Sequence, residues 1–495
     1  MSEQQRKLKT WQGWALFGGA MLIVFCLGLL AASLMERRAE VASIFNNRRF
    51  PMKDSIVSLN DSFAADFPRE YETWKMTADT TFESEFNGSQ RKDVLAQRPN
   101  MVILWAGYAF SWEYNTPRGH SHAIEDMREI LRTGAPMTPG DKGEKQPGTC
   151  WTCKGPDVPR LMSEMGVANF YKAPWSAHGS QVMNSIGCSD CHDPVTMNLP
   201  ALKEAWARTH NGEDVNTRPH QEMRSLVCAQ CHEEYYFQKG TNYLTFPMDE
   251  GNTVEDIERY YDKIKFTDYT HALSRAPILK AQHPGYTLFM HGTHGMRGLS
   301  CADCHMPYKA EGGVKFSDHQ ITSPLAHIER TCQVCHRESA DKLRGYVYER
   351  QRKVNEIRDR VEAELAKAHI EAKFAWDKGA TENEMKETLQ DLRSGQWRWD
   401  YAVASHGASF HATDEVMRIL ASALDFAHKA RFSISKVLAK HGFTGEVSMP
   451  DISTKAKAQK YIGLDMAKMN SDKHKFLTTV VPKWIQEAKA KGRIH

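Results

Sequence analysis

Five Cys-x-x-Cys pairs consume ten of the eleven cysteines in this 495-residue chain, and no other feature restricts its fold so tightly. Four are followed at once by histidine: Cys188-Ser189-Asp190-Cys191-His192, Cys228-Ala229-Gln230-Cys231-His232, Cys301-Ala302-Asp303-Cys304-His305 and Cys332-Gln333-Val334-Cys335-His336. In such a pentapeptide both thiols add to the vinyl groups of a haem, and the imidazole binds its iron. Zinc ribbons use the same Cys-x-x-Cys spacing, but zinc pairs these units and has no need of a histidine after each one. The first pair, in Gly148-Thr149-Cys150-Trp151-Thr152-Cys153-Lys154, carries lysine where the histidine belongs. An amine ligates iron only after losing the proton it holds in water up to a reference pKa of about 10.4. The metal itself can drive that loss. The remaining cysteine, Cys26, lies in an apolar N-terminal run, so none is left for a structural disulfide.

The motifs follow one another at intervals of 38, 40, 73 and 31 residues. So little polypeptide per haem cannot enclose five separate cores, so the porphyrins must fill the interior and lie close enough to pass electrons. The predicted fold is therefore mainly α: a multihaem cytochrome c with a haem-packed core, short helices carrying the motifs, little strand, and long C-terminal helices. The longest interval holds Tyr235-Tyr236, Asp249-Glu250-Gly251 and Lys280-Ala281-Gln282-His283-Pro284-Gly285, and this extra chain is where a pocket is expected. Upstream, Met101-Val102-Ile103-Leu104-Trp105 reads as a buried strand or the start of a helix. Tyr114 to His120 reads as a turn. Ala123 to Leu131 reads as a short amphipathic helix stopped at Arg132-Thr133-Gly134-Ala135-Pro136.

Beyond 337 the pattern changes. Val354, Ile357, Val361, Leu365 and Ala368 step by three and four with charges between them, which predicts a long amphipathic helix. A second helix opens at Thr381-Glu382-Asn383-Glu384, the spacing of a capping box, and passes through Trp397 and Trp399. A third runs from about Asp414 to Lys440 and stops at Gly442. A bundle bracing the haem region accounts for these stripes, which could also pair two subunits. At the other end, Arg6, Lys7 and Lys9 precede an apolar run from Trp11 to Met35, and Glu36-Arg37-Arg38 follows it. That order signals export. Ala31-Ala32-Ser33 offers small residues for cleavage, yet the run is near the roughly 20 residues that span a bilayer. The expected organisation is 1–40 as signal peptide or N-terminal anchor, 41–337 as the haem-bearing region and 338–495 as the long-helix region.

Composition adds little beyond exclusions. The 64 basic and 61 acidic residues leave a net charge of +3, and two propionates per haem turn this mildly acidic, so nothing points to nucleic acid. A haem that only carries electrons needs a second axial ligand, and the 22 histidines leave ample choice beyond the four in the motifs. His120, His294, His319 and His411 stand in turn-rich or helix-end settings from which a ring can be aimed at iron. The lysine-ligated haem is then the one expected to keep its distal side open, and an open iron performs chemistry. Arg132, Tyr235 and His283 are candidates to hold a small anion there.

At this level of detail the chain resembles the ammonia-forming cytochrome c nitrite reductases, pentahaem enzymes of bacterial periplasms. The resemblance runs from about 95 to 465. It rests on Cys-Trp-x-Cys-Lys followed by four Cys-x-x-Cys-His, on Leu131-Arg132-Thr133-Gly134-Ala135-Pro136, on Glu234-Tyr235-Tyr236 after the Cys228 motif, on Leu279-Lys280-Ala281-Gln282-His283-Pro284, and on Trp397-Arg398-Trp399-Asp400 with Ala404-Ser405-His406-Gly407. It implies nitrite reduction at the Lys154 haem, with Arg132, Tyr235 and His283 lining the distal pocket. It also implies one calcium ion at Glu234, Tyr235, Lys280 and Gln282, the tyrosine and lysine contributing backbone oxygens. The distal ligands it implies are His120 for the haem on Cys228 and Cys231, His319 for Cys188 and Cys191, His411 for Cys301 and Cys304, and His294 for Cys332 and Cys335.

The implied activity is a periplasmic six-electron reduction of nitrite to ammonium, using five covalently bound haem c groups and one calcium ion, with side activity on hydroxylamine or sulfite. A homodimer is implied, fed by a membrane quinol-oxidising cytochrome or a soluble multihaem cytochrome. The competing expectations are an electron carrier without its own substrate, in which a sixth protein ligand would close the Lys154 haem, and a related multihaem enzyme acting on hydroxylamine, sulfite or tetrathionate.

Overall fold

The computed structural model describes residues 9–46, 56–134, 146–199 and 217–495. The chain divides into two units, residues 1–53 with 310–315, and residues 54–309 with 316–495. In the first, α1 (Thr10–Asn46) is one continuous helix. Its stretch Thr10–Arg38 is long and apolar enough to cross a membrane, with none of its apolar window buried. Trp14, Leu22, Ile23, Phe25 and Leu30 are all exposed. An α-helix advances about 1.5 Å per residue, so such a stretch exceeds the ~30 Å of a bilayer's hydrocarbon core. Arg6 and Lys7, and Ala135 and Pro136 in the arginine motif, lie outside the described residues.

The second unit is mainly α and is dominated by three long helices, α2 (Ala340–Asp377), α3 (Glu382–Ala404) and α4 (Thr413–Lys440). Their boundaries follow local chemistry. Ser339 caps α2 by accepting from the Lys342 amide. Thr381 and Glu384 close a reciprocal capping box at the head of α3. Small residues let the three approach closely: Ala368, Ala372 and Ala375 of α2 share a core with Ala430 of α4. A β-carbon on Gly395 of α3 would stand 3.1 Å from Cβ of Phe426 and 3.3 Å from Cδ2 of Leu365. Val354, Val361, Leu365 and Ala368 are all buried. Ile357, the remaining member of the stripe, is half-buried against the same core, so the stripe serves mainly to hold α2 in the bundle.

One core cluster draws residues from both sides of position 337, joining Met101 to Ala106, Tyr236, Ile257, Tyr261 and Leu279 to Trp397, Trp399 and Leu420. Polar side chains lock this assembly from within. Glu362 of α2, almost fully buried, accepts from Trp399 Nε1 at 3.0 Å and Arg98 Nε at 3.2 Å. His369 spans Ser274 Oγ at 2.8 Å and Gln396 Oε1 at 2.7 Å. Arg393 donates to Asp262 and to the carbonyls of Phe266 and Pro277. The long helices thereby fix the segment between the third and fourth motifs.

The stretch Met101–Trp105 turns out to be helical, within Asn100–Leu104 and its cap. The predicted helix from Ala123 ends at Glu129, because Ile130 is already extended. Among the described residues strand is confined to three two-stranded pieces: β1 (Tyr236–Phe237) with β2 (Leu244–Thr245), β3 (Tyr269–Thr270) with β4 (Pro277–Ile278), and β5 (Tyr308–Glu311) with β6 (Val314–Ser317). The last pair turns at Gly312 and Gly313, both at positive φ, where a side chain would be strained. After α4 the chain ends in α5 (Met466–Thr479) and α6 (Val481–Ala490).

Candidate active site

The cysteine motifs sit on short helical turns, at Gly148–Trp151, Cys188–Cys191, the end of His220–Ala229, and Cys301–His305, with the last motif in a plain turn. None of the cysteines is joined in a disulfide. Successive motifs come together through their sulfurs: Cys228 lies within electrostatic reach of Cys301 and Cys191, and Cys304 within reach of Cys332.

Each motif histidine faces a second imidazole. Ring centroids are 6.0 Å apart for His120 and His232, 6.3 Å for His192 and His319, 6.1 Å for His305 and His411, and 6.3 Å for His294 and His336. Two metal–imidazole bonds of about 2.0–2.1 Å, each lengthened by the radius of the ring, bring the centroids of two trans ligands to ~6.3 Å. The four gaps therefore fit one iron each. Two other histidine contacts do not: His271 stacks on His369 at 3.8 Å, and His283 lies 4.5 Å from His232.

Hydrogen bonds also set the tautomers. Nδ1 of His192, His305 and His319 each meets a backbone carbonyl, of Met197, Thr322 and Ser317, at 2.8–3.0 Å. A carbonyl can only accept, so Nδ1 carries the proton and Nε2 keeps the lone pair that a metal needs. Burial lowers the pKa of His120 to about 4 and of His411 to about 3, keeping both neutral.

The first motif is built differently. Its Trp151 stacks on Trp175 at 4.8 Å and donates from Nε1 to the Trp175 carbonyl at 2.9 Å. A β-carbon on Gly155, directly after Lys154, would overlap the carbonyl of Asn184. Arg132 and Lys154 are both within electrostatic reach of the Cys150 sulfur. The Arg132 guanidinium stacks 3.7 Å from the centre of the Phe110 ring, and its buried Nε has no hydrogen-bond partner. Tyr235 faces Cys153 and Cys150, and burial first, then those sulfurs, raises its phenol well above the ordinary value. His283 is held at a pKa of about 3 by burial, then by His406 and Lys154, and its buried Nδ1 is likewise unpaired. Buried polar atoms without partners are uncommon in native proteins. Two such atoms, on a cation and an imidazole near the lysine motif, suit a small anionic ligand.

The residues expected at calcium also come together. Glu234 is fully buried and accepts from the amides of Gln282 at 2.7 Å and His283 at 3.3 Å. Burial raises its pKa well above the usual carboxylate range, so a cation beside it would relieve a real cost. The Lys280 amine points away, pairing with Asp400 Oδ1 at 2.8 Å. Its carbonyl lies toward Gln282, whose Nε2 donates to it at 3.1 Å. One carboxylate with backbone and amide oxygens is a donor set suited to calcium.

Several contributors escaped the sequence reading. Phe110 carries the Arg132 guanidinium on its ring, and the Lys280 amine lies 4.9 Å from the same ring. Glu233, buried beside Glu234, holds Thr287 through its amide and hydroxyl. Neither residue stands in a motif whose chemistry announces it. Asp400 was visible only as the end of Trp-Arg-Trp-Asp.

Comparison with known proteins agrees with this architecture. The family model described as cytochrome c552 matches residues 60–492. A cytochrome c-552 of Porphyromonas gingivalis is 62% identical over 499 residues, covering 99% of each chain, and one of Bacteroides thetaiotaomicron is 64% identical over 494 residues with the same coverage. Among solved structures, the cytochrome c nitrite reductase of Desulfovibrio desulfuricans, a catalytic subunit with two calcium sites, superposes with a TM-score of 0.74 at 29% identity, over 84% of this chain and 91% of that one. With its fold and nearly its whole length so matched, this chain belongs to the cytochrome c552 family.

Proposed function

We propose that this chain is an ammonia-forming nitrite reductase whose reaction takes place at Lys154. The observation that carries the reading is a contrast. Four motif histidines each face a second imidazole at 6.0–6.3 Å, whereas the lysine motif is surrounded by Arg132, Tyr235 and His283. The first set is furnished to carry electrons, the second to bind an anion. Family membership and the likeness to a solved nitrite reductase support the same assignment.

A haem held by Cys150, Cys153 and Lys154 would supply an iron able to bind nitrite and pass electrons into it. The protein does the rest. Arg132, cationic and with an unpaired Nε, binds the nitrite oxygens and offsets the charge that grows on them as N–O weakens. His283, held neutral by burial, hydrogen-bonds the same oxygens through its ring N–H and helps to relay protons to them. The Tyr235 phenol, kept protonated, donates a hydrogen bond and serves later proton or radical steps. Six electrons per nitrite exceed what one haem can store, which gives the four bis-histidine haems their purpose. The electrons come from a membrane quinol-oxidising cytochrome or a soluble multihaem cytochrome.

Five haem c groups and one calcium at Glu234, Tyr235, Lys280 and Gln282 complete the assembly. Residues 41–337 bear the haems, and 338–495 brace them and form the interface of a homodimer. The segment 1–40, whose α1 is membrane-length, directs the chain out of the cytoplasm as signal or anchor. The deciding experiment is steady-state nitrite consumption with a reduced viologen dye and ammonium counted as product. One ammonium per nitrite is expected; release of nitric oxide, or no turnover at all, overturns the proposal.

A further inference from the structure

The C-terminal helices α5 and α6 carry no haem motif, yet α5 meets the loop that carries Arg132. Lys473 is 5% exposed, and its Nζ donates to the carbonyl of Thr133 at 2.8 Å, across 340 positions of sequence. One turn further on, Phe476 lies under Gly134. That glycine has φ of 65°, and a β-carbon on it would overlap the Phe476 ring. The near side of the loop is fixed as well: the Leu131 amide donates to Glu113 Oε2 at 2.7 Å, and the Thr133 hydroxyl donates to the carbonyls of Met127 and Ile130. The backbone on either side of Arg132 is thus pinned, while its own Nε is left unpaired.

Phe476 reaches a second wall of the same site. Its ring packs on Trp175 at 6.0 Å and Trp484 at 5.4 Å, and Trp175 is the ring stacked on Trp151 between the first two haem-binding thiols. A single side chain of α5 therefore touches both the arginine loop and the backing of the lysine motif. For stability alone, an apolar residue at 473 would serve better than a buried amine on a neutral carbonyl. Glu113 and Glu129 offset part of that cost, and Arg91 adds to it.

We infer that Lys473 and Phe476 are positioning residues for Arg132, fixing where its guanidinium stands over the distal side of the Lys154 site. The catalytic meaning of this clamp rests on the nitrite reading above; the clamp itself does not. The holoprotein and its K473M, K473R and F476L variants test it by amide exchange and by kinetics, with K473M also built on an R132K background.

Residues 127–134 should exchange faster in K473M and F476L while α3 keeps its protection. For K473M, the nitrite KM should rise about tenfold with kcat changed less than ~twofold, K473R should recover most of that loss, and K473M should add nothing further on the R132K background. Unchanged exchange at 127–134 in both variants overturns the inference. So does a KM effect of equal size with and without the native arginine. A wild-type protein that shows the exchange difference but no nitrite turnover keeps the clamp and removes the nitrite reading.

Discussion

Gly407 leaves the space in which the ring of His411 stands: a β-carbon there would overlap Cε1 of that imidazole and come within 2.8 Å of its Nδ1. The two are also joined through the backbone, the His411 amide donating to the Gly407 carbonyl at 2.9 Å. The ring so placed faces His305 at 6.1 Å. Gly407→Ala should therefore push His411 off its partner while the helices on either side keep their packing. Overpacking of this kind costs about 1–3 kcal/mol. The expected readout is a single haem changing from low to high spin in the optical or paramagnetic resonance spectrum. A variant with a wild-type spectrum would mean that the ring does not need this space.

Lys154→His should keep the haem, because the thiols and not the axial ligand form the covalent link. Imidazole is a different donor from an amine, and since loss of even an outer partner of a metal ligand costs about 10–100-fold in activity, exchanging the ligand itself should cost at least as much. Nitrite turnover should fall at least that far while haem content and the four bis-histidine signatures stay constant. Full activity would remove the reason for treating this motif as the reaction site.

How far such features were legible depends on how local their chemistry is. Thiol attachment needs two cysteines a fixed step apart, so the five motifs proposed to hold haem stood out directly. The caps of α3 were readable for the same reason, since Thr381 and Glu384 are three residues apart. The distal partners were not: nothing near His294 names His336, and only family resemblance supplied the pairing whose ring separation is 6.3 Å. Met101 to Trp105 stayed ambiguous because all five side chains are buried, which erases the periodicity that separates helix from strand. Lys473 and Phe476 act on a loop 340 positions away, beyond the reach of any pattern.

Calcium should behave as a structural ligand of the pocket. Glu234 is buried among the amides of Gln282 and His283, so a chelator should leave its carboxylate without a cation. Restoring calcium to about a hundredfold above its Kd should stabilise the protein by about 2.7 kcal/mol, seen as a rise in Tm. Glu234→Gln should abolish that rise and lower nitrite turnover. An equal rise in the variant would place calcium elsewhere.

Lys473 gives the fold a measurable pH dependence. Burial lowers its pKa to about 7 from 10.5, against the favourable charges of Glu113 and Glu129. Between those two values the unfolded chain holds a proton that the folded chain has released, so stability must rise with pH across the window. Below about 7 both states are protonated, and the full cost of burying a charged amine is present; towards 10.5 that cost disappears. Lys473→Met removes the titration. The stability of wild type relative to the variant should therefore climb by on the order of 1–2 kcal/mol between pH 7 and 9, measured as the difference in thermal midpoints at matched ionic strength. Parallel profiles would mean that the amine keeps its proton in the fold, stabilised by more negative charge than the two glutamates provide.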